Sequence, residues 1–568
     1  MQAQLQTNAS AGRAGVHPVG SVNSEIKMPR EWPPEERPAL ESHFRAFWQC
    51  LLSCKYRYNE ASGALLFPDG VFVLGLEGLG QAMYVRPCYL RLLERIVALW
   101  RGSVIGKRGV VVSGNPGIGK SLFLCYVMLR AAIEKRTVAY ERRESDEVFV
   151  CYPDGSVILS HRKSSTFLEA LQDERCFYLF DPAGKQVSVE PLHLNVRASS
   201  LVVSSPNPIH FHSFEKWYLK HIYAPVWSLS EVLQARLICY PTVEDAQAAG
   251  QPVVVADQPR PVVSLSAEEA VRRWNVFGGI ARYIFCTPDD FAIQYTRLLG
   301  VIALQRIEDV LTSVKELEQM DTDSHRMLHH IVDETTYASE SVMFASDFVF
   351  SELMKSGSQQ LSDRLLQFVV ASADRPIVAA LRGYVFERLC HAVIAAGGQF
   401  KCRPLTPQAD LQPEQLVTIP ALKTIYFSRN DEIPDIVTRE VALLSALHGG
   451  NQAAALQSLR LLLRPSAPNF AFANAMIFAP FPVALQETVS RKHKLNRHAC
   501  LMLQSALKSV FGPFVLDVYL LLPPDIYVTP CRDESFVDSE NHVVDPPSDV
   551  RQWAFCVPLT PGMTLPPL

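Results

Sequence analysis

The 568-residue chain contains no run of the ~18 uninterrupted apolar residues that a membrane-spanning helix needs. Its first stretch, Met1 to Asn23, is rich in Gln, Ala, Ser and Gly and lacks the apolar core of a secretory signal. The expectation is therefore an intracellular protein with no membrane partner. The 13 cysteines are scattered and odd in number. Only Cys50 and Cys54 lie close together, and no second pair of metal-ligand spacing answers them. That excludes a disulfide framework, argues against a zinc site and leaves reduced, mostly buried thiols. The net charge of −4 excludes a globally basic nucleic-acid coat and leaves room only for a local basic site. No clean basic run marks nuclear import, and no internal repeat is present.

What is there is ordinary globular composition, 48% hydrophobic and 20% charged, which rules out a wholly disordered, collagen-like or coiled-coil chain. At about 150 residues per domain the length predicts two or three domains. Residues 1–38 read as a flexible tail ending in Pro-rich punctuation, and 39–104 as a helical region. An α/β unit over 105–299 has strand-like runs at Val110–Val112, Val148–Tyr152, Cys176–Phe180 and Leu201–Ser204. Helical patterns between them imply a parallel sheet. Residues 300–375 read as a helix-rich connector. A long helix from Ile377 to Ala396, stopped by Gly397-Gly398, opens a second α/β unit over 376–568.

The strongest motif is Gly114-Asn115-Pro116-Gly117-Ile118-Gly119-Lys120-Ser121, which fits G-x-x-x-x-G-K-[ST]. A buried-strand run precedes it and an apolar helix follows, which is the context a phosphate-binding loop requires. Glycines let backbone N–H groups close around phosphates, and the helix start adds positive potential. Lys120 would reach the β- and γ-phosphates of ATP, and Ser121 would hold Mg²⁺. Asp181, at the end of the run Cys176–Phe180, supplies the second Mg²⁺ ligand. Pro182 follows where many ATPases place a water-activating glutamate, so binding and switching are expected ahead of fast hydrolysis. Ser205 or Asn207 could sense the γ-phosphate, or Ser-Pro-Asn is an ordinary turn. Arg282 follows a glycine-hinged turn and either touches the phosphates or lies on the surface at a helix start.

Several further segments complete a pattern. They are Tyr84-Val85-Arg86-Pro87-Cys88-Tyr89, Ser204-Ser205-Pro206-Asn207, Ala224 to Glu231, Gly278-Gly279-Ile280-Ala281-Arg282-Tyr283, Gly383 to Glu387 with His391, and Gln486 to His493. In this order and spacing, from about residue 80 onward, the chain resembles the Crinkler and retrotransposon-hot-spot family. The resemblance implies a P-loop NTPase of AAA+/STAND type joined to an α/β restriction-endonuclease-like domain, acting on DNA in the nucleus, in some members as a secreted effector. Residues 1–40 hold no Leu-Phe-Leu-Ala-Lys-like translocation motif.

A metal-dependent nuclease needs two or more carboxylates around Mg²⁺ and a lysine to steady the attacking water. The family pattern places an acid on the first helix, matched by Glu387, one helical turn from His391. Asn474 stands where the next acid is usual. Gln486 and Thr488 take the places of the final acid and lysine, with Glu487 on the opposite strand face. Lys492 or Lys494 could supply the missing charge. Catalytic roles are therefore assigned to Glu387, Gln486, Lys492 and His493 in a site short of carboxylates. The basic cluster Arg491, Lys492, His493, Lys494, Arg497 and His498 could instead bind nucleic acid. Two function classes stay open: an ATP-controlled nuclease-like protein, and a scaffold whose nucleotide orders the fold or drives self-association.

Overall fold

The computed structural model of the chain describes residues 37–104, 107–142, 147–182, 191–192, 196–205, 211–218, 220–248, 264–304, 324–355, 365, 367–372, 378–405, 413–427, 432–465, 473–479, 482–487, 494–529, 535–538, 540 and 542–558. The tail expected over 1–38 lies outside these, apart from its last two residues, which open the helix Arg37–Leu52.

The fold is mixed α/β, with two large sheets each covered by helices. The first sheet has seven strands in the order His221–Tyr223, Gly109–Ser113, Ser199–Val203, Phe177–Asp181, Val138–Arg142, Glu147–Cys151 and Val157–His161. Gly109–Ser113 and Ser199–Val203 are buried throughout, as central strands covered on both faces must be. Val110 and Val112 face the helices Arg37–Leu52, Pro87–Arg101 and Lys120–Ile133. Val111 faces the other way, toward Phe214 and Tyr218. Lys120–Ile133 carries apolar residues all round and is accordingly buried on nearly every side.

The sheet is not wholly parallel, as the alternation of strands and helices predicts. Glu147–Cys151 runs antiparallel to both Val138–Arg142 and Val157–His161. For the second of these pairings the reason is local: Tyr152-Pro153-Asp154-Gly155 makes a tight turn, closed by Gly155 N–H donating to the Tyr152 carbonyl (3.1 Å), and so short a connection joins only antiparallel strands.

Two stretches expected to be helical also contain strands. Within 39–104, Arg57–Asn59, Ala64–Leu66 and Ala82–Tyr84 pair as a small antiparallel sheet. Within 300–375, Leu328–Val332 and Ser339–Phe344 form an antiparallel hairpin. Its apolar residues Leu328, Val342 and Phe344 join the core of the C-terminal half, a long-range burial that outweighs local helical spacing.

The second sheet has eight strands in the order Gln415–Ile419, Gly398–Pro404, Val550–Cys556, Leu516–Leu522, Pro482–Glu487, Ala475–Phe478, Leu461–Pro465 and Lys423–Phe427. The helix Ala379–Ala396 covers one face. Glu432–Leu447 and Arg497–Phe511 cover the other. As expected from Gly397-Gly398, the first of these helices ends at Gly397, whose φ is +77°. A Cβ there would lie 2.6 Å from the Pro420 carbonyl carbon, so only glycine fits. None of the described cysteines forms a disulfide. Among the described residues no helix is long and apolar enough to cross a membrane.

Candidate functional site

The first candidate site sits where the buried strand Gly109–Ser113 gives way to the helix Lys120–Ile133. At Gly114 (φ +140°) a Cβ would meet the Ala224 carbonyl oxygen at 2.7 Å, and at Gly117 (φ +85°) it would meet the Arg282 Cβ at 2.8 Å. Both positions therefore require glycine. Three loop carbonyls are held by outside donors. The Arg282 N–H donates to the Gly117 oxygen (3.0 Å), the Trp227 indole to Ile118 (2.7 Å) and the Tyr89 hydroxyl to Gly119 (3.2 Å). Because a trans peptide points its C=O and N–H in opposite directions, the N–H groups of Ile118, Gly119 and Lys120 turn the other way. Backbone N–H groups so turned at a helix start are of the kind an anion would need.

Lys120 donates to the carbonyls of Gly114 (2.7 Å) and Asn115 (2.9 Å). Burial, helped by the nearby Arg282 guanidinium, pushes its ammonium down to about 7, while the Asp181 carboxylate opposes the shift. Asp181 and Arg282, both far from Lys120 in sequence, thus act on its ammonium in space. The Ser113 and Ser204 hydroxyls, both buried, have no hydrogen-bond partner among the described residues. Closely spaced cations and spare donors beside inward N–H groups fit a polyphosphate, whose charge would offset the cost of burying the ammonium. Ser121, in the first helical turn, and Asp181, at its strand end, are a hydroxyl and a carboxylate of the type that Mg²⁺ takes.

Asn115 ties this loop to the Leu328–Phe344 hairpin. Its side-chain N–H donates to the Leu328 carbonyl (2.9 Å), and its side-chain oxygen accepts from the His330 N–H (3.1 Å). Nothing in the local sequence marks this contact, since more than 200 residues separate the partners.

The second candidate site lies between the helix Ala379–Ala396 and the second sheet. Glu387 and His391 face the same way, as their spacing predicts. The Asn474 amide donates to Glu387 Oε2 (3.3 Å). His391 Nε2 lies 2.8 Å from Glu487 Oε1, at an angle that makes no hydrogen bond. Along Pro482–Glu487, Leu485 packs toward this helix and Ala484 toward the opposite face. Gln486 therefore turns away from Glu387, and the acid of the strand that reaches the site is Glu487, not the residue matched to the motif. The signal for it was chemical: Glu487 is the one carboxylate of that strand. Sequence reasoning also missed Arg464, whose guanidinium lies 5.3 Å from the Tyr426 ring centroid and acts electrostatically on Glu387.

Among the described residues no group of three His, Cys, Asp or Glu side chains is placed to hold a metal ion. Glu387, Glu487 and the Asn474 amide are the groups that the described residues bring together here. Of the remaining expectations, Asn207, Arg491, Lys492 and His493 lie outside the described residues. Lys494 and Arg497 are exposed, and Arg497 Nε donates to the Asp545 carbonyl (3.1 Å).

Burial, reinforced by Glu487, raises the Glu387 carboxyl above the usual carboxylate range, against His391, Arg388 and Arg464. The folded state thus binds this proton more tightly than the unfolded chain. The stability it contributes is present at low pH and lost as pH rises through the raised value. Glu387→Gln should raise the melting temperature by a few degrees at pH 7.5, with the gain vanishing near pH 4. A scanning-fluorimetry pH series checks this, and an equal gain at both pH values would contradict it.

No family model matches the chain. Two curated proteins of Phytophthora infestans are similar to it. Crinkler effector protein 16 is 24% identical over 484 residues, covering 84% of this chain and 66% of that protein. Crinkler effector protein 15 is 24% identical over 331 residues, covering 57% of this chain and 48% of that protein. The matched part of the chain thus spans about two thirds and about half of these relatives' lengths.

Proposed function

We propose that the chain, similar to Crinkler effector proteins 16 and 15, is an ATP-controlled effector of the P-loop NTPase class whose C-terminal unit engages DNA in the nucleus. The observation that carries the ATP reading is the Lys120 ammonium, gathered with Asp181 and Arg282 at a loop whose carbonyls are pinned outward. Lys120 and the N–H groups of Ile118 and Gly119 hold the β- and γ-phosphates, and Arg282 adds charge at the mouth. Ser121 and Asp181 hold Mg²⁺, which when bound neutralises charge on those phosphates. No carboxylate follows Asp181, so turnover is slow and occupancy is the signal.

A continuous path leads from the loop to the second site. Asn115 grips the hairpin, and Phe344 of the hairpin packs near Tyr384 (ring centroids 6.0 Å). Tyr384 and Arg388, on either side of Glu387, both bind Asp347, just beyond the hairpin. A shift of the loop on nucleotide binding would therefore reach the helix that carries Glu387.

Purified full-length protein should bind ATP in the presence of Mg²⁺, and Lys120→Ala should weaken binding about tenfold to a hundredfold, the worth of charge-assisted bonds of about 1.5–3 kcal/mol. Unchanged binding in the variant would overturn the ATP reading. For the C-terminal unit, Asn474 favours a second reading in which DNA is held without being cut, because an amide donating to Glu387 adds no charge for a metal. Mg²⁺-dependent cleavage that Glu387→Ala abolishes would refute that reading. Equal inertness of both proteins, with DNA binding retained, would support it.

A further inference from the structure

The hairpin carries a buried histidine that the proposed ATP site does not yet use. His330 is 3% exposed. Its ring stacks on Tyr223 with centroids 5.0 Å apart. Tyr223 in turn pairs in register with Ser113, the residue that leads into the phosphate loop. The His330 N–H donates to the Asn115 side chain, and Lys120 donates to the Asn115 carbonyl, so both residues hold the same point of the loop. On the imidazole, Nδ1 lies 3.0 Å from the Ser339 hydroxyl. Nε2 is buried and has no hydrogen-bond partner among the described residues.

We propose that His330 is a ligand of the nucleotide's terminal phosphate, donating through Nε2, and so sets the preference for a nucleoside triphosphate over a diphosphate. The proposal rests on the reading of Gly114–Ser121 as the nucleotide site. Three features support it. First, a buried polar atom without a partner costs free energy that a ligand oxygen would recover. Second, when the Ser339 hydroxyl donates to Nδ1, the neutral ring carries its proton on Nε2 and can donate it to a phosphate oxygen. Burial, with His221 and Lys120 nearby, pushes the imidazole down to about 4, so the ring is neutral at physiological pH. Third, the His330 N–H bonds the Asn115 side-chain oxygen (3.1 Å) and the Lys120 ammonium bonds the Asn115 carbonyl (2.9 Å), which brings His330 beside the group assigned to the β- and γ-phosphates. Because His330 belongs to the hairpin and not to the loop, its bond to the last phosphate would let the hairpin distinguish ATP from ADP, whereas loop residues alone grip both.

The test measures dissociation constants of full-length protein for ATP and for ADP, each with Mg²⁺, by calorimetry. In His330→Phe, which keeps a ring against Tyr223 and the backbone bond to Asn115, the ATP constant should rise about tenfold while the ADP constant stays within twofold. A merely structural histidine would move both constants together or neither, and either result overturns the proposal. His330→Gln, which keeps a side-chain N–H, is the companion variant; if the Phe variant does not fold, it decides, with partial retention of ATP preference expected and complete indifference to the change refuting. Lys120→Ala separates the two claims. If wild type and Lys120→Ala bind both nucleotides alike, the nucleotide reading itself fails and this inference falls with it. If Lys120→Ala loses both nucleotides but His330→Phe discriminates as wild type does, only this inference falls.

Discussion

Replacing Arg86 by alanine should destabilise the protein by about 3–5 kcal/mol, the cost of leaving a buried charge without its partner. In a unit of this size that corresponds to a fall of about 6–20 °C in the first melting transition. Arg86 is only 2% exposed. It makes a two-pronged contact with Glu231, Nε to Oε1 at 2.9 Å and Nη2 to Oε2 at 3.1 Å. It also donates to the carbonyls of Pro225 and Val226, both at 2.9 Å. The Pro225 and Val226 carbonyls would lose this donor, and Glu231 would keep only the Ser228 N–H on Oε2 (2.8 Å). The guanidinium also lies 4.9 Å from the centroid of the Trp227 ring, whose indole holds the Ile118 carbonyl of the Gly114–Ser121 loop. The defect should therefore spread to the site, and ATP binding should weaken even below the melting transition. Arg86→Lys is the discriminating control. It keeps the charge but cannot match the carboxylate fork or reach both carbonyls, so it should fall between wild type and alanine. Thermal unfolding followed by near-UV dichroism measures the effect, and an alanine variant melting within 2 °C of wild type would contradict this account.

The parts of this molecule that could be read from sequence are those whose physics is local. The turn at Gly114–Ser121 is legible because glycines between a buried strand and an apolar helix mark a tight loop, and Gly114, Gly117 and Gly119 do take positive φ. The stop at Gly397 is legible because a left-handed residue ends the helix beside Pro420. The strands Gly109–Ser113 and Phe177–Asp181 announce themselves as short apolar runs. What was not legible depends on pairings across long stretches of chain. Glu487 and Gln486 are neighbours, and their roles are exchanged by which strand face meets the helix Ala379–Ala396, a matter of register that a motif match does not encode. The Leu328–Phe344 hairpin was hidden among charged helical patterns, because its apolar residues find their partners in the C-terminal core. Asn115 reads as a spacer within the loop motif; only the fold reveals that its side chain grips the hairpin. Of these, the hairpin and the Asn115 contact are the ones that join distant parts of the chain.

Nucleotide affinity should fall as pH rises from 7 to 9, by up to about a hundredfold. The Lys120 ammonium, pushed down to about 7 mainly by burial and secondarily by Arg282, titrates in this range. Its lowered value means the folded protein holds this proton less tightly than the unfolded chain. The stability linked to Lys120 is therefore complete only above its ordinary value near 10.4 and is lost as pH falls through about 7. Binding runs the other way. A triphosphate favours the charged ammonium, so each pH unit above 7 charges a proton's uptake against the affinity, about tenfold per unit, until the value in the complex is passed. A phosphate group loses its last proton near pH 6, below this window, so the ligand does not confuse the slope. Lys120→Arg separates this cause from any other: an arginine stays charged throughout, so its affinity, even if weaker at pH 7, should be flat to pH 9. Calorimetric titration of ATP with Mg²⁺ at pH 7, 8 and 9 gives both profiles. A flat wild-type profile would mean that the buried ammonium does not meet the phosphates. Parallel slopes in wild type and Lys120→Arg would mean that another group carries the proton.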